Sequence, residues 1–137
     1  MKIKILIVNA HYYSNISKDL VSDAKLTLIN SKVRHQIIGV PGVFEIPVVI
    51  AKNIKKYDAF IALGCVIKGE TPHFDFISKI TIDTIMKLSV ESKKPIGNGI
   101  LTCMNISQAS ARSDPKGEKR KGKEAAEAVL SVLGFKT

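Results

Sequence analysis

Thr71, Pro72 and His73 follow one another between a short apolar run and a long helical pattern. A hydroxyl, a rigid imide and an imidazole in that position make an anion site with a proton carrier beside it. Free backbone N–H groups at a helix start attract anions. The positive end of the helix dipole also favours neutral imidazole over imidazolium, so His73 would be a proton acceptor near neutral pH. The segment 64–78, G-C-V-I-K-G-E-T-P-H-F-D-F-I-S, is predicted to turn at its glycines after a strand over 59–63. Ligands in open parallel sheets bind at the carboxyl ends of strands, which is where this segment would lie.

The elements that must hold these groups alternate. The apolar run Ile5-Leu6-Ile7-Val8 sits in a strand over 4–8. A helix over 15–31 carries Ile16, Leu20, Ala24 and Leu28 on one face, with Ser14 or Asn15 as N-cap. A strand over 33–40 leads through Pro41-Gly42 into a helix over 43–56, where Pro47 falls near the first turn. A strand over 57–63 precedes a helix over 72–92, whose Phe74, Ile77, Ile85 and Leu88 form one stripe. A strand over 95–103 is interrupted by Gly97-Asn98-Gly99. A short helix over 105–111, capped by Asn105 or Ser107, precedes a final helix over 118–133 that Gly134 stops. Four strands separated by crossover helices predict one α/β domain, a parallel sheet with helices on both faces. A sheet this small has open edges, which makes an oligomer plausible on physical grounds.

Parallel topology gathers the strand-to-helix loops on one rim. They offer His11-Tyr12-Tyr13, then Pro41 to Glu45, then Lys68 to His73, then Asn98 and, further on, Arg112. There is no Walker lysine loop and no G-x-G-x-x-G. The set suits a polar, aromatic-bodied, phosphorylated substrate and acid–base chemistry without a redox cofactor.

Composition removes other classes. The 137 residues carry a net charge of +9, from 21 Lys and Arg against 12 Asp and Glu. The densest basic run, K-G-E-K-R-K-G-K over 116–123, is short, contains Glu118 and lacks aromatics for base stacking. It reads as a solvated lysine-rich surface and not as a nucleic-acid groove. The apolar run near the start is too short for a membrane span, and no secretory signal precedes it. Cys65 and Cys103 lack metal-ligand spacing and read as reduced, half-buried thiols.

Three segments carry a resemblance. They are V-P-G-V-F-E-I-P from Val40, A-L-G-C-V-I-K-G-E-T-P-H-F-D from Ala62 and P-I-G-N-G-I-L-T from Pro95. A weaker match runs from Asn105 to Arg112 and on through Lys121-Gly122. On these the chain resembles the lumazine synthase family. The resemblance implies a flavodoxin-like three-layer sandwich in the cytoplasm, with no cofactor and no metal. It also implies a transferase reaction of riboflavin biosynthesis, upstream of riboflavin synthase. There 5-amino-6-(D-ribitylamino)uracil condenses with 3,4-dihydroxy-2-butanone 4-phosphate to 6,7-dimethyl-8-ribityllumazine.

Residue roles follow from the same resemblance. His73 matches the proton-transfer histidine. Glu70 and Thr71 match the phosphate loop, and Arg112 matches the arginine that clamps the phosphate. Val43, Phe44 and Glu45 match the segment that holds ribityl hydroxyls and the pyrimidine, and Cys65, Val66 and Ile67 match a backbone-contact segment. Asn98 matches a position that faces substrate from a neighbouring subunit, while Lys121 and Glu124 match positions near the ribityl chain and the histidine. Tyr12 stands where the family has a stacking phenylalanine, and His11 stands where it has an arginine. A π-face is kept, but the Tyr12 hydroxyl needs a partner. The resemblance implies pentameric rings with shared sites. The segment from Arg112 to Gly122 is about one residue longer than in capsid-forming members and contains Pro115. An isolated pentamer is therefore expected first, a decamer second and a sixty-subunit capsid third. The rival reading is a non-catalytic flavin- or phosphate-binding module of the same fold.

Overall fold

A computed structural model describes residues 2–136. Four parallel strands, β1 (Lys4–Ala10), β2 (Arg34–Val40), β3 (Ala59–Ile67) and β4 (Ile96–Cys103), form one sheet in the order β2-β1-β3-β4. The helices are α1 (Ser14–Asn30), α2 (Ile46–Lys52), α3 (His73–Ser92), α4 (Ile106–Ser113) and α5 (Lys121–Val132). A single 3-10 turn, Val43–Glu45, precedes α2. The expected three-layer parallel fold is the one observed. No described helix is long and apolar enough to cross a membrane.

Alternation along each strand divides the core in two. Ile5, Ile7, Ile61 and Leu63 point to the face covered by α1, α4 and α5, where Leu20, Leu28, Val129 and Leu130 meet them. Leu6, Val8, Phe60 and Ala62 point to the other face, against Val43, Ile46, Ile50 and Ile85 of the 3-10 turn, α2 and α3. Both helical stripes read from the sequence pack as expected: Ile16, Leu20, Ala24 and Leu28 are buried, and Phe74, Ile77 and Leu88 join Ile85 in the second cluster. One stripe goes further than expected. Phe76, Ile80, Met86 and Val90 of α3 are all more than half exposed, at helical spacing on the side away from Ile85.

Several boundaries differ from the sequence reading. Gly64 does not start a turn, and Gly97-Asn98-Gly99 does not interrupt a strand. β3 runs on to Ile67, and β4 is continuous. These glycines instead make room for neighbours. A Cβ on Gly64 would lie 2.6 Å from Val43 Cγ1, and one on Gly97 would lie 2.5 Å from the Ala125 carbonyl oxygen. The helix expected over 43–56 is a 3-10 turn plus a short α2 that stops at Lys52, where the Asn53 side chain donates to the Val49 carbonyl at 2.8 Å. The last helix starts at Lys121, not at 118, after a loop closed by Gly117 N–H on the Asp114 carbonyl. Tyr13, rather than Ser14 or Asn15, precedes α1, with no side-chain cap. Asn105 caps α4 as expected, its Oδ1 accepting from Gln108 N–H at 2.9 Å.

Candidate active site

β1 and β3 are the two central strands, so their carboxyl ends are the most rigidly supported part of the rim. At the end of β1, His11 N–H donates to the Val40 carbonyl at 3.0 Å and fixes the departing chain. The next residue, Tyr12, stands 75% exposed, its ring edge-on to Tyr13 with centroids 4.9 Å apart. Beyond β2, Glu45 Oε1 accepts from Gly42 N–H at 3.0 Å while Glu45 N–H donates back to the Gly42 carbonyl at 3.2 Å. This reciprocal pair shapes the turn that buries Val43 and leaves Phe44 exposed.

These pieces enclose a cleft of about 500 Å³. Tyr12, Val43 and Phe44 line it from the loops, Cys65 to Ile67 from the end of β3, and His73 and Ile77 from α3. Seven of the expected site residues thus meet in one place. Tyr13 and Gly42, expected on the rim but given no role, line it too, as does Ile77, which was not anticipated there. Ile77 lies one helical turn beyond His73, a spacing that could have revealed it. Glu70 and Thr71 lie exposed in the loop that delivers His73, and Thr71 Oγ1 accepts from His73 N–H at 3.4 Å. Among the described residues, no lysine or arginine lines this cleft.

The cations lie elsewhere. Arg112, Lys121 and Glu124 line a second cleft of about 480 Å³, together with Ile100 to Thr102 of β4. Glu118 and Lys119 of the preceding loop also border it and were not expected there. Lys121 Nζ pairs with Glu124 Oε1 at 3.1 Å. Arg112 donates to the Gln108 carbonyl at 3.4 Å and lies beside the Cys103 thiol. Four expected residues line neither cleft: Glu70 and Thr71 in the loop before α3, and also Glu45 and Asn98. Glu45 borders a groove between α2 and α3 with Phe44, Val48 and Ile80. Asn98 is not on the rim but inside β4, exposed, with Oδ1 accepting the Ile100 N–H at 3.1 Å along the open strand edge.

The thiols are quiet. Burial, with Cys103 close by, pushes Cys65 up to about 12. Burial also raises Cys103, and the Arg112 guanidinium partly offsets it. Neither is a nucleophile at neutral pH. Burial and the neighbouring Cys65 and Tyr12 raise Tyr13 as well, so its hydroxyl stays protonated. Among the described residues, no three His, Cys, Asp or Glu side chains group as metal ligands.

The imidazole thus borders an aromatic cleft, and the described cations of the expected site lie in another. The sequence profile described as 6,7-dimethyl-8-ribityllumazine synthase matches residues 2–137. The chain belongs to that family. The lumazine synthase of Bartonella bacilliformis is 46% identical over 136 residues, which cover 96% of this chain and 89% of that one. 6,7-Dimethyl-8-ribityllumazine synthase 1 of Rhodopseudomonas palustris is 42% identical, covering 97% and 85%. The enzyme of Novosphingobium aromaticivorans is also 42% identical, covering 97% and 96%. Lumazine synthases are transferases of riboflavin biosynthesis, and this chain is one of their family by a sequence match over nearly its whole length.

Proposed function

We propose that this chain joins 5-amino-6-(D-ribitylamino)uracil to 3,4-dihydroxy-2-butanone 4-phosphate in a site completed by a second copy. The first cleft takes the pyrimidine, with Tyr12 stacking on the ring and the Val43–Phe44 backbone and Cys65 to Ile67 along its edge. His73 moves the protons. The substrate amine attacks the ketone, water leaves as the imine forms, phosphate is eliminated, and ring closure releases water again. Each step needs a proton delivered or removed within reach of one imidazole, and the barrier falls mainly because the partners are held together.

The observation that carries this reading is the separation of charges. Among the described residues, no cation lines the first cleft, where a phosphorylated substrate would need one, whereas Arg112 and Lys121 face a cleft at the β4 edge that no described histidine lines. Juxtaposing the two clefts from two copies supplies what each lacks. Arg112 then clamps the phosphate with its planar fork, and Lys121 and Glu124 reach the ribityl chain. Asn98, on the same open edge as Thr102, would face the neighbouring copy. The exposed apolar group Phe44, Val48, Phe76 and Ile80 supports such an assembly, because a contiguous patch of this kind marks an association surface. A pentameric ring satisfies both needs, and the lengthened loop with Pro115 favours a ring that stays single. Two buried, unpaired cysteines suit a reducing cytoplasm.

The deciding experiment mixes both substrates with the purified protein and follows the lumazine chromophore. Its appearance, dependent on protein and on both substrates, is the expected result. A folded protein that produces none overturns the assignment.

A further inference from the structure

One ion pair lies outside both clefts and touches neither substrate position. Asp23 of α1 has a fully buried side chain, and its only ion-pair partner among the described residues is Arg120. Arg120 Nη2 donates to Oδ1 at 2.7 Å and Nε to Oδ2 at 3.1 Å, a two-point fork. The Arg120 backbone is left-handed, with φ +33° and ψ +65°, a conformation that a residue with a Cβ adopts only when its surroundings hold it there.

The reason for that turn is visible on either side. Gly122, two residues on, is pressed so closely to α1 that a Cβ would lie 2.3 Å from the Leu20 carbonyl oxygen. The chain leaving the 114–120 loop must swing sharply to bring α5 into that contact. Arg120 makes the swing while its side chain reaches back to Asp23. Lys121, the first residue of α5, comes out at the Arg112 cleft. The same backbone angle that seats α5 on α1 therefore decides where Lys121 stands.

We propose that the Asp23–Arg120 pair is a positioning device for the reaction: by holding residue 120 left-handed, it sets Lys121 at the Arg112 cleft and so adjusts substrate affinity from outside it. Asp23 and Arg120 are positioning residues, not catalytic ones. The inference rests on the reading of Lys121 as a substrate-binding residue.

A double-mutant cycle in the lumazine assay tests it. Arg120→Ala would leave a buried, unpaired carboxylate and is at risk of unfolding. Arg120→Lys keeps the charge and loses only the fork. Lys121→Ala is expected to raise KM for the ribityl substrate about 10-fold with kcat little changed, as loss of a hydrogen bond from a charged group does. Arg120→Lys is expected to raise the same KM roughly 3-fold, and Arg120→Lys/Lys121→Ala to be no worse than Lys121→Ala alone, because one residue acts through the other. Multiplying losses in the double variant overturn the proposal. So does Arg120→Lys that lowers Tm and leaves KM unchanged, or Lys121→Ala that leaves KM unchanged. In each of those cases lumazine synthesis by the parent protein still stands. A parent protein that makes no lumazine overturns the functional reading and this inference together.

Discussion

The two clefts of this chain are nearly equal in size and opposite in build. The first is set on the ends of the two central strands and lined by aromatic and aliphatic groups, with one imidazole and, among the described residues, no lysine or arginine. The second is set on the edge strand β4 and the ends of two helices, with Arg112, Lys119 and Lys121 against Glu118 and Glu124. A deep, apolar, rigid cleft suits a planar ring whose position must be exact to a fraction of an ångström. A charged, edge-mounted cleft suits a phosphate and a polyol, which long flexible side chains can follow. In the proposed function, chemistry and charge neutralisation fall to different parts of the fold, and each part needs the other. In the proposed assembly the open edge of the sheet is where the second half of the site arrives.

The sharpest way to break this pairing is to keep the copies apart. A carboxylate placed in the exposed α3 stripe, as in Phe76→Glu/Ile80→Glu, should leave the fold intact, because both side chains are more than half exposed. Light scattering should then give a mass near 15.0 kDa, and lumazine formation should fall below that of any single site variant. A monomeric protein that retains full activity would end the shared-site argument. Next in size, His73→Ala should lower kcat by roughly 10- to 1,000-fold, within or below the usual range for a general acid–base group. Mixing His73→Ala chains with Arg112→Ala chains under conditions of subunit exchange should restore part of the activity, since some boundaries then carry both intact halves. Failure to regain any would place both halves within one chain.

Arg112→Lys sharpens the comparison on the charged side. It should raise KM for the butanone phosphate about 10-fold and leave the pyrimidine KM nearly alone, because a point charge replaces a fork. Equal losses for both substrates would make Arg112 a surface cation. The smallest effect concerns the thiol in the first cleft. Cys65 is raised from 9.0 to about 12 in the folded chain, so between those values the folded state holds a proton that the unfolded state has released. Its contribution to stability is complete below pH 9 and is lost as pH rises towards 12. Urea midpoints measured across that range should fall less steeply in Cys65→Ala than in the parent. Identical slopes would show that Cys65 does not titrate as described.

Much of this was legible in the sequence, and the failures share a cause. The apolar stripes of α1, α3 and α5 and the continuous apolar run of β1 pointed to the parallel sandwich, because a strand buried on both faces and a helix buried on one leave those patterns. The first cleft was legible from Tyr12, the Val43–Glu45 turn and His73, which all lie next to strand ends. Glycines were misread. At 64 and 97 they mark lateral packing against Val43 and Ala125, not a change of chain direction, and a single sequence does not distinguish a missing side chain from a bent backbone. Asn98 was placed on the rim for that reason and lies within β4 instead. The Asp23–Arg120 pair spans 97 residues, and nothing local announces such a contact. Glu45 carried a candidate binding role, yet one of its oxygens already serves the Gly42 amide; a capping carboxylate and a ligand-facing one look alike in a sequence.

The wet stripe on α3 has a consequence in time as well as in space. Folding of each chain is a first-order event, whereas in the proposed assembly the exposed Phe76, Ile80, Met86 and Val90 are covered only after an encounter between chains. When few copies exist, newly folded chains spend longer with that stripe uncovered, and any other sticky surface competes for it. Recovery of activity after dilution from denaturant should therefore be slower at lower protein concentration, while the return of secondary structure should not. Above some concentration, wrong encounters should begin to take their share and the final yield should decline. On the proposed assembly, the rate at which the enzyme becomes useful is set by how quickly copies meet, not by how quickly any one of them folds.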